Sequence, residues 1–425
     1  MIQLVLAFLV LLVIGVPIAI ALGVAGIIGI HVEGFAIDNA IRRMFGGIDK
    51  FILLAAPFYI LAGEIMNRGG ITDRLIRLAV VLVGRIKGGT AYANVVSSVI
   101  FAGVSGTAIA DTAALGKIFI HGMAKEGYRK EFAAAVTVAS ALIGPIIPPS
   151  VIMLIYAAVA NISVIQLFLA GVVPGILLAF ACAVVIVWKG RSDNFPISHI
   201  RVERREIPGL ARDGILVVSI PVFIVVGTLS GVFTATEAGG VAVIYAILLG
   251  LFVFRNLDFK GLIGALVSSA RMTASLFLII ACAAVASYVL VISGTSRMLI
   301  SYGSVFHGNP ELFLLSVIVF VILIGFFIES GVLVLVFAPL LIPISNSLGI
   351  DPFHFAMVFL LAGNLSLITP PVGVVLFVAC RIGNIGIGKL FREVFPFFLA
   401  ELGVVFLIAY FPGISVGLIR LLGFQ

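Results

Sequence analysis

Long apolar runs, separated by short polar segments, extend from one end of the chain to the other. Residues 132–188 hold no charged side chain, and neither do residues 4–30. A membrane-crossing helix needs about 20 apolar residues, whereas a transmembrane β-strand alternates apolar and polar positions. Because the runs are continuous, the pattern predicts an all-α polytopic membrane protein. We expect residues 4–30 to form one retained helix, since the run is too long for a signal peptide and no basic segment precedes it.

The composition points to the same class of protein. Of the 425 residues, 62% are hydrophobic and 11% are charged, and the mean hydropathy is +1.31. A soluble domain has about 25% charged residues, so this chain cannot cover itself with polar surface and needs a lipid bilayer. The net charge of +7 does not indicate a nucleic-acid partner, because the basic residues lie in short loops as the positive-inside rule requires. Three cysteines lie far apart in apolar segments and show no metal-ligand spacing: Cys182, Cys282 and Cys380.

Two of the apolar runs are interrupted by prolines. Residues 143–150 read IGPIIPPS, and residues 368–372 read ITPPV. A proline inside a helix costs about 3 kcal/mol, because it removes a backbone donor and clashes with the preceding turn. Non-helical backbone at membrane depth is tolerated only where protein buries it or where it lines a wet cavity. We therefore predict Pro/Gly-broken transmembrane helices over about 131–160 and 352–381, with a simple packing kink as the alternative at either place.

The two breaks belong to a predicted internal repeat. A polar stretch with six Lys and Arg residues, 189–213, divides the chain almost in half. Besides the proline segments, the dipeptide Ser105-Gly106 has a counterpart in Ser330-Gly331 at nearly the same offset. A shared order at a near-constant offset is typical of a duplicated unit. The predicted organisation is a first repeat over 1–188, a basic cytoplasmic linker over 189–213 and a second repeat over 214–425.

The positive charges predict that the two repeats have inverted topology. Residues 68–87 carry five Lys and Arg residues, whereas the equivalent residues 292–311 carry one. Since cytoplasmic loops hold the excess of Lys and Arg, these equivalent loops should face opposite sides of the membrane. One segment disagrees: residues 31–50 hold Arg42, Arg43 and Lys50, although they should lie on the side opposite 68–87. An interfacial helix in this segment would resolve the disagreement.

In each half, the broken helix follows a segment with small and polar residues at its middle. Glycine, serine and threonine occupy positions between 103 and 107, and the apolar runs on either side, about ten residues each, are too short to span a bilayer. A helical hairpin that enters and leaves on one side fits this pattern. We predict re-entrant hairpins over about 89–122 and about 311–348.

The hairpin tips and the breaks should meet near the midplane. Half-helix N-termini there attract anions, while freed carbonyls and hydroxyls are the hard oxygen ligands that a small cation needs. The candidate cation ligands in the first half are Ser105, Gly106, Thr107, Gly144, Ile147 and Pro148. Those in the second half are Gly325, Ser330, Gly331, Ser366 and Thr369. For each hydroxyl the alternative is a hydrogen bond back to its own helix.

Five acidic residues lie within apolar runs: Glu64, Asp111, Glu237, Glu329 and Glu401. A carboxylate in mid-membrane costs about 2.5–3.5 kcal/mol, so each should face a cavity, face a partner or lie near the end of a span. Asp111 and Glu329 are nearest to the tips and, with Asn364, are candidates for binding substrate or tuning the cation sites. We expect the other three acids to lie near span ends.

Three segments carry a resemblance to a known family. SGTAIADTAALG (105–116), EGYRKEFAAAVTVASALIGPIIPPS (126–150) and GNLSLITPPVG (363–373) resemble the large membrane subunit of tripartite ATP-independent periplasmic (TRAP) transporters. The resemblance covers essentially the whole chain. It implies an elevator-type, ion-transporter-like fold in the bacterial inner membrane, with two or more Na+ as coupling ions at the tips and breaks and no other cofactor.

The same resemblance implies partners and a substrate class. A periplasmic substrate-binding protein would deliver a small organic acid, of the sialic acid or C4-dicarboxylate class, and sialic acid is slightly favoured. A small four-helix membrane subunit is expected as a separate chain, because 425 residues that start at the first repeat leave no room for it.

Two other functions remain open at this point. One is a stand-alone Na+/carboxylate symporter or antiporter, which would need no binding protein. The other is an intramembrane serine protease, since GVSG at 103–106 matches a short nucleophile pattern, although no histidine lies in the middle of an apolar run to activate the serine. The chain has no phosphate-binding loop, so direct use of ATP is not expected.

Overall fold

The computed structural model describes residues 2–84, 86–192, 195, 196, 207–294, 306 and 308–424, and these residues are helical apart from turns and short links. Two of the loop arginines counted above, Arg85 and Arg297, lie outside the described part, as do about half of the predicted linker 189–213 and the side chain of Ser105. Seven helices within that part are long and apolar enough to cross a membrane. The all-helical membrane class is therefore confirmed.

The first helices of the chain precede the hairpin region. They are α1 (Ile2–Val13), α2 (Ile18–Val32), α3 (Asp38–Ile48), α4 (Ala55–Arg68), which follows a 3-10 turn over Phe51–Leu54, and α5 (Ile71–Val83).

The prediction of a single helix over residues 4–30 is wrong. The segment divides between α1 and α2, where Gly15 adopts a left-handed conformation with φ 88°. Its N–H donates to the carbonyl of Leu12 (3.0 Å), and the N–H of Val16 donates to Leu11 (3.0 Å), which closes the end of α1. Pro17 has no N–H to continue the helix, so α2 starts afresh at Ile18.

The segment 31–50, whose positive charges disagreed with the predicted topology, contains the short helix α3. Its charged side chains Asp38 and Arg42 are exposed, and so are the apolar Ile41 and Phe45. A short helix that displays charged and apolar side chains together is typical of a membrane interface. The structure thus contains a short amphipathic helix in this segment, and its position at the membrane interface stays a prediction.

The remainder of the first half contains a pair of adjacent helices and a divided helix. They are α6 (Gly89–Ser105), α7 (Ala108–Lys125), α8 (Lys130–Ser140), α9 (Val151–Ala160) and α10 (Val164–Ser192). The hydroxyl of Thr90 donates to the Glu126 carboxylate, which joins the open ends of α6 and α7. These two helices therefore form a hairpin with its turn at Gly106 and Thr107, within the range 89–122 considered above.

The second half has a similar order of elements. Three long helices come first: α11 (Ile207–Leu229), α12 (Ala235–Leu248), extended by a π-helical turn over Leu249–Val253, and α13 (Phe259–Ile292). They are followed by α14 (Pro310–Gly325), α15 (Ser330–Ser347), α16 (Pro352–Leu365), α17 (Val374–Gly383), α18 (Ile387–Tyr410) and α19 (Gly413–Leu421). The domain boundaries and the inverted orientation of the two halves stay predictions.

Contacts between helix ends define one face of the molecule, here called the basic face. Arg129 and Lys189 both bind the carboxylate of Glu393 near the start of α18, at 3.0 and 2.7 Å. The N–H of Gly88, before α6, donates to the carbonyl of Pro196, beyond the end of α10 (3.2 Å). The starts of α6, α8 and α18 and the end of α10 therefore lie together. Because cytoplasmic loops are rich in Lys and Arg, the positive-inside rule predicts that the basic face lies in the cytoplasm, and this orientation stays a prediction.

Candidate functional site

The tip of the first hairpin is formed by two residues between α6 and α7. Gly106 is left-handed with φ 61°, and its N–H donates to the carbonyl of Ala102 (3.3 Å). Thr107 is extended, and its hydroxyl oxygen accepts the N–H of Ala110 (3.3 Å), which caps the start of α7. A threonine cap satisfies a backbone donor that the helix cannot satisfy by itself. The tip is thus a well-capped turn, in which the carbonyl of Thr107 also accepts the N–H of Asp111 (3.1 Å) at the start of α7.

The first break lies between α8 and α9. A 3-10 turn over Ala141–Ile143 leads to the cis-linked pair Pro148-Pro149. The hydroxyl of Ser150 donates to the carbonyl of Pro145 (2.6 Å) and accepts the N–H of Met153 (3.3 Å). The break was expected to free carbonyls, but that of Pro145 is taken by Ser150, a residue that was not among the predicted ligands. A serine directly before a new apolar helix is a capping signal that could have identified it.

The first tip and the first break are in contact. A Cβ added at Gly106 would lie 3.1 Å from the carbonyl oxygen of Pro149 and 3.2 Å from the N of Val151. A Cβ at Gly144 would overlap the carboxylate of Asp111, which is fully buried on the first turn of α7. The structure therefore brings Gly106, Gly144 and Asp111 to one place, together with the proline pair. Only glycine allows the two backbones to approach this closely.

The second tip connects α14 to α15. Gly325 ends α14, Glu329 is extended and exposed, and Ser330 begins α15 in a buried position. The carbonyl of Phe326 accepts the N–H of Val372 from the second break (3.3 Å). A Cβ at Gly325 would overlap the side chain of Ser366. The second tip and the second break are therefore also in contact.

The second break contains two predicted hydroxyl ligands. Ser366 donates to the carbonyl of Gly363 (2.6 Å), and Thr369 donates to that of Leu365 (2.8 Å). Both hydroxyls make the bond back to their own helix that was the alternative to cation binding. Each oxygen retains lone pairs once its proton is donated, so these bonds are compatible with a cation ligand. The cation role of both residues stays a prediction.

The two halves of the site interlock. α7 packs against α17, and α15 packs against α9, so each hairpin contacts the divided helix of the other half. Asn364 on α16 directs its Nδ2 toward the carbonyl of Leu142 in the first break, at a long 3.5 Å. Its side chain is buried, and its Oδ1 has no hydrogen-bond partner among the described residues. A buried amide oxygen of this kind needs a partner such as water or a cation.

Four helices begin at these turns: α7, α9, α15 and α17. Their N-termini supply the positive ends of helix dipoles, which favour an anion. Within the described part of the chain, no three His, Cys, Asp or Glu side chains converge on a point. The oxygen groups present are carbonyls, hydroxyls, an amide and the Asp111 carboxylate, which suit a hard cation rather than a transition metal.

Comparison with known proteins identifies the family. Residues 5–414 match the family model of the tripartite ATP-independent periplasmic transporter, DctM component. The chain belongs to this family. The family comprises secondary transporters, so this large permease is not an enzyme, and the intramembrane protease alternative is removed.

Curated relatives of the permease cover nearly its full length. It is 37% identical to the sialic acid TRAP transporter large permease protein SiaM of Vibrio cholerae, over 88% of each chain. It is 36% identical to the C4-dicarboxylate TRAP transporter large permease protein DctM of Pseudomonas aeruginosa, over 90% of this chain and 89% of that protein. It is 32% identical to the 2,3-diketo-L-gulonate TRAP transporter large permease protein YiaN of Escherichia coli, over 95% of each.

The fold also resembles two solved transporters. The YdaH transporter of Alcanivorax borkumensis aligns with a TM-score of 0.61 at 18% identity, over 89% of this chain and 88% of that one. MtrF of Neisseria gonorrhoeae aligns with a TM-score of 0.53 at 14% identity, over 88% and 82%. At these identities the likeness concerns the fold alone.

The remaining acids of the permease occupy three different settings. Glu237 lies in the first turn of α12, where it forms a capping box with Thr234, as expected near a span end. Glu64 pairs with Arg68 at 3.5 Å near the end of α4. Glu401 differs from the expectation, because it lies in the middle of α18 and is fully buried.

Sequence reasoning missed a polar ladder that joins the hairpin of the permease to its divided helix. Asn94 donates to the hydroxyl of Thr137 (2.7 Å), and Ser98 donates to that of Ser140 (2.8 Å). All four side chains are fully buried between α6 and α8. The signal was present, since Asn94 and Ser98 are four residues apart on one face of a helix. The ladder fixes the register of α6 against α8 and so positions the first tip.

Proposed function

We propose that this permease carries out Na+-coupled secondary uptake of a small organic acid. The single observation that supports this best is the double contact between a glycine-containing tip and a proline break. Gly106 lies against Pro149 in the first half, and Gly325 lies against Ser366 in the second. Irregular backbone at membrane depth is tolerated only where protein buries it or where it lines a cavity. Each of the two tip–break contacts supplies both oxygen ligands and helix N-termini.

In the proposed mechanism, two or more Na+ ions bind at the tips and breaks. The first site would use main-chain oxygens near Gly106 and Gly144, and the second would use the region of Ser330, Ser366 and Thr369. The bound cations and the four helix N-termini would together attract a carboxylate. The two hairpins and divided helices would then move as one core past α1–α5 and α11–α13, in an elevator-type motion.

The substrate class and the partners follow from the family. The named relatives transport sialic acid, C4-dicarboxylates and 2,3-diketo-L-gulonate. We propose that this permease takes up an acid of one of these classes across the bacterial inner membrane. A periplasmic binding protein would deliver the acid, and a small membrane subunit would support the permease.

Reconstitution tests this proposal. Proteoliposomes that hold the permease and its small subunit receive labelled sialic acid or labelled succinate, with and without an inward Na+ gradient and the binding protein. We expect uptake of one acid only when both the gradient and the binding protein are present. Gradient-driven uptake without the binding protein would instead support the stand-alone symporter. Uptake that ignores the Na+ gradient would refute the coupling.

A further inference from the structure

The three basic residues that disagreed with the predicted topology line one cavity. It has a volume of about 610 Å³ and lies between α3, α9, α13 and α15. Its polar lining includes Asn39, Arg42, Arg43, Lys50 and Tyr288. Among the described residues that line it there is no Asp or Glu, so the cavity is cationic. Its size falls within the range of about 300–1,000 Å³ that is typical of small-molecule sites.

The cavity lies on the face opposite the basic face. Lys50 donates from its Nζ to the carbonyl of Ala158 (2.5 Å), near the C-terminal end of α9. The 29-residue helix α10 ends at the basic face with Lys189 and starts at Val164, shortly after the end of α9, so the end of α9 lies on the other side. The positive-inside rule explains basic residues on the cytoplasmic face only. An interfacial position of α3 would reconcile these charges with the predicted topology, but it does not explain why three cations line one cavity.

The cations are held in place by neighbouring groups. The guanidinium of Arg43 lies 3.9 Å from the centroid of the Tyr288 ring on α13. Arg42 is 3.7 Å from Asp38 on the same helix, and both side chains are largely exposed, so this pair is weak. Partial burial lowers the pKa of the Lys50 ammonium below its ordinary value. Arg42 and Arg43 thus present two guanidinium groups, which bind carboxylate oxygens in pairs.

One wall of the cavity belongs to the scaffold of the proposed mechanism, and the other belongs to the moving core. The cations belong to α3 and the link after it, and α13 contributes Tyr288. The opposite wall consists of apolar residues of α9 and α15, among them Ile155, Val159 and Leu335. A cavity between the scaffold and the hairpin-bearing core would change its volume when the core moves.

We propose that this cavity is an extracytoplasmic site for the carboxylate of the transported acid, occupied before the acid reaches the two tips. The inference rests on the proposed function, and it assigns a substrate role to Arg42, Arg43 and Lys50. A lipid phosphate could satisfy the same cations. The test therefore separates the two sources of anion.

The first test measures acid uptake by Arg42→Gln and Arg43→Gln, with Arg420→Gln as the matched control. Arg420 lies on the same face, because it shares a cavity with Gln166 at the start of α10, but it does not line the cationic cavity. We expect each cavity variant to need about tenfold more acid for half-maximal uptake, with the same maximal rate and the same Na+ dependence. Wild-type half-saturation in both variants, or an equal change in the control, would overturn the proposal.

The second test does not depend on transport. Ser287, which lines the cavity, is changed to Cys in a chain whose three native cysteines are replaced, and an impermeant maleimide is added from outside in the absence of Na+. We expect the acid to slow labelling in vesicles of zwitterionic lipid alone, and Arg42→Gln to abolish this protection. Protection that appears only with anionic phosphatidylglycerol, and not with the acid, would assign the cavity to lipid and overturn the proposal. If the wild-type permease shows no Na+-driven uptake, the proposed function is refuted, but the result of this labelling test can still be interpreted.

Discussion

Replacement of Gly325 by alanine tests the contact between the second tip and the second break. The added Cβ would overlap the Cβ and Oγ of Ser366. Non-bonded carbon atoms prefer separations of about 3.5–4.0 Å, so the tip and the break would have to move apart by about 1 Å. Overpacking of this kind costs about 1–3 kcal/mol. If the Na+-bound state requires the contact, this energy corresponds to about 5- to 150-fold weaker Na+ binding.

The assay is the Na+ concentration that gives half-maximal acid uptake in proteoliposomes. Gly403→Ala is the matched control, because it lies on α18 outside the predicted cation sites and a Cβ there meets no atom within 4 Å. We expect a large rise for Gly325→Ala and little change for the control. Wild-type Na+ dependence of Gly325→Ala, or an equal loss in the control, would refute the reasoning.

Three further substitutions have defined outcomes. Gly106→Ala should lower the melting temperature of the purified permease, since φ 61° costs alanine about 1–2 kcal/mol, whereas Gly122→Ala, at an open helical position, should not. Asn364→Leu should weaken the dependence of acid uptake on Na+, because it removes the buried amide oxygen between the halves. If the dependence of uptake on Na+ is unchanged, the partner of that oxygen is water and not Na+. Glu401→Gln should transport nearly as well as wild type, since the amide keeps the shape of a fully buried side chain. Glu401→Lys should abolish the folded protein. A strong loss of transport in the Gln variant would show that the carboxyl itself is needed.

The parts of the fold that local chemistry dictates could be predicted from the sequence. Pro148 and Pro370 cannot continue a helix, and Gly106 accepts a left-handed turn, so the ends of several helices follow from single residues. The same rule applied to Gly15 and Pro17 would have found the division between α1 and α2. That break was overlooked because the surrounding residues are uniformly apolar.

Contacts between distant segments could not be predicted from the sequence. Asn364 and Leu142 are 222 positions apart, and Glu401 and Cys182 are 219 apart, with the Cys182 thiol donating to the Glu401 carboxyl at 3.4 Å. A helix that is apolar all round gives no periodic signal of which side faces which neighbour. The middle position of Glu401 and the partners of Asn364 therefore emerge only from the packed structure.

The ratio of Na+ to acid taken up tests the central claim most directly. Radiolabelled Na+ and the labelled acid are measured in the same proteoliposomes, over the same initial interval, with the small subunit and the binding protein present. The account predicts that two or more Na+ ions enter with each acid molecule, as two tip–break sites require. Acid uptake that is accompanied by no Na+ would contradict it.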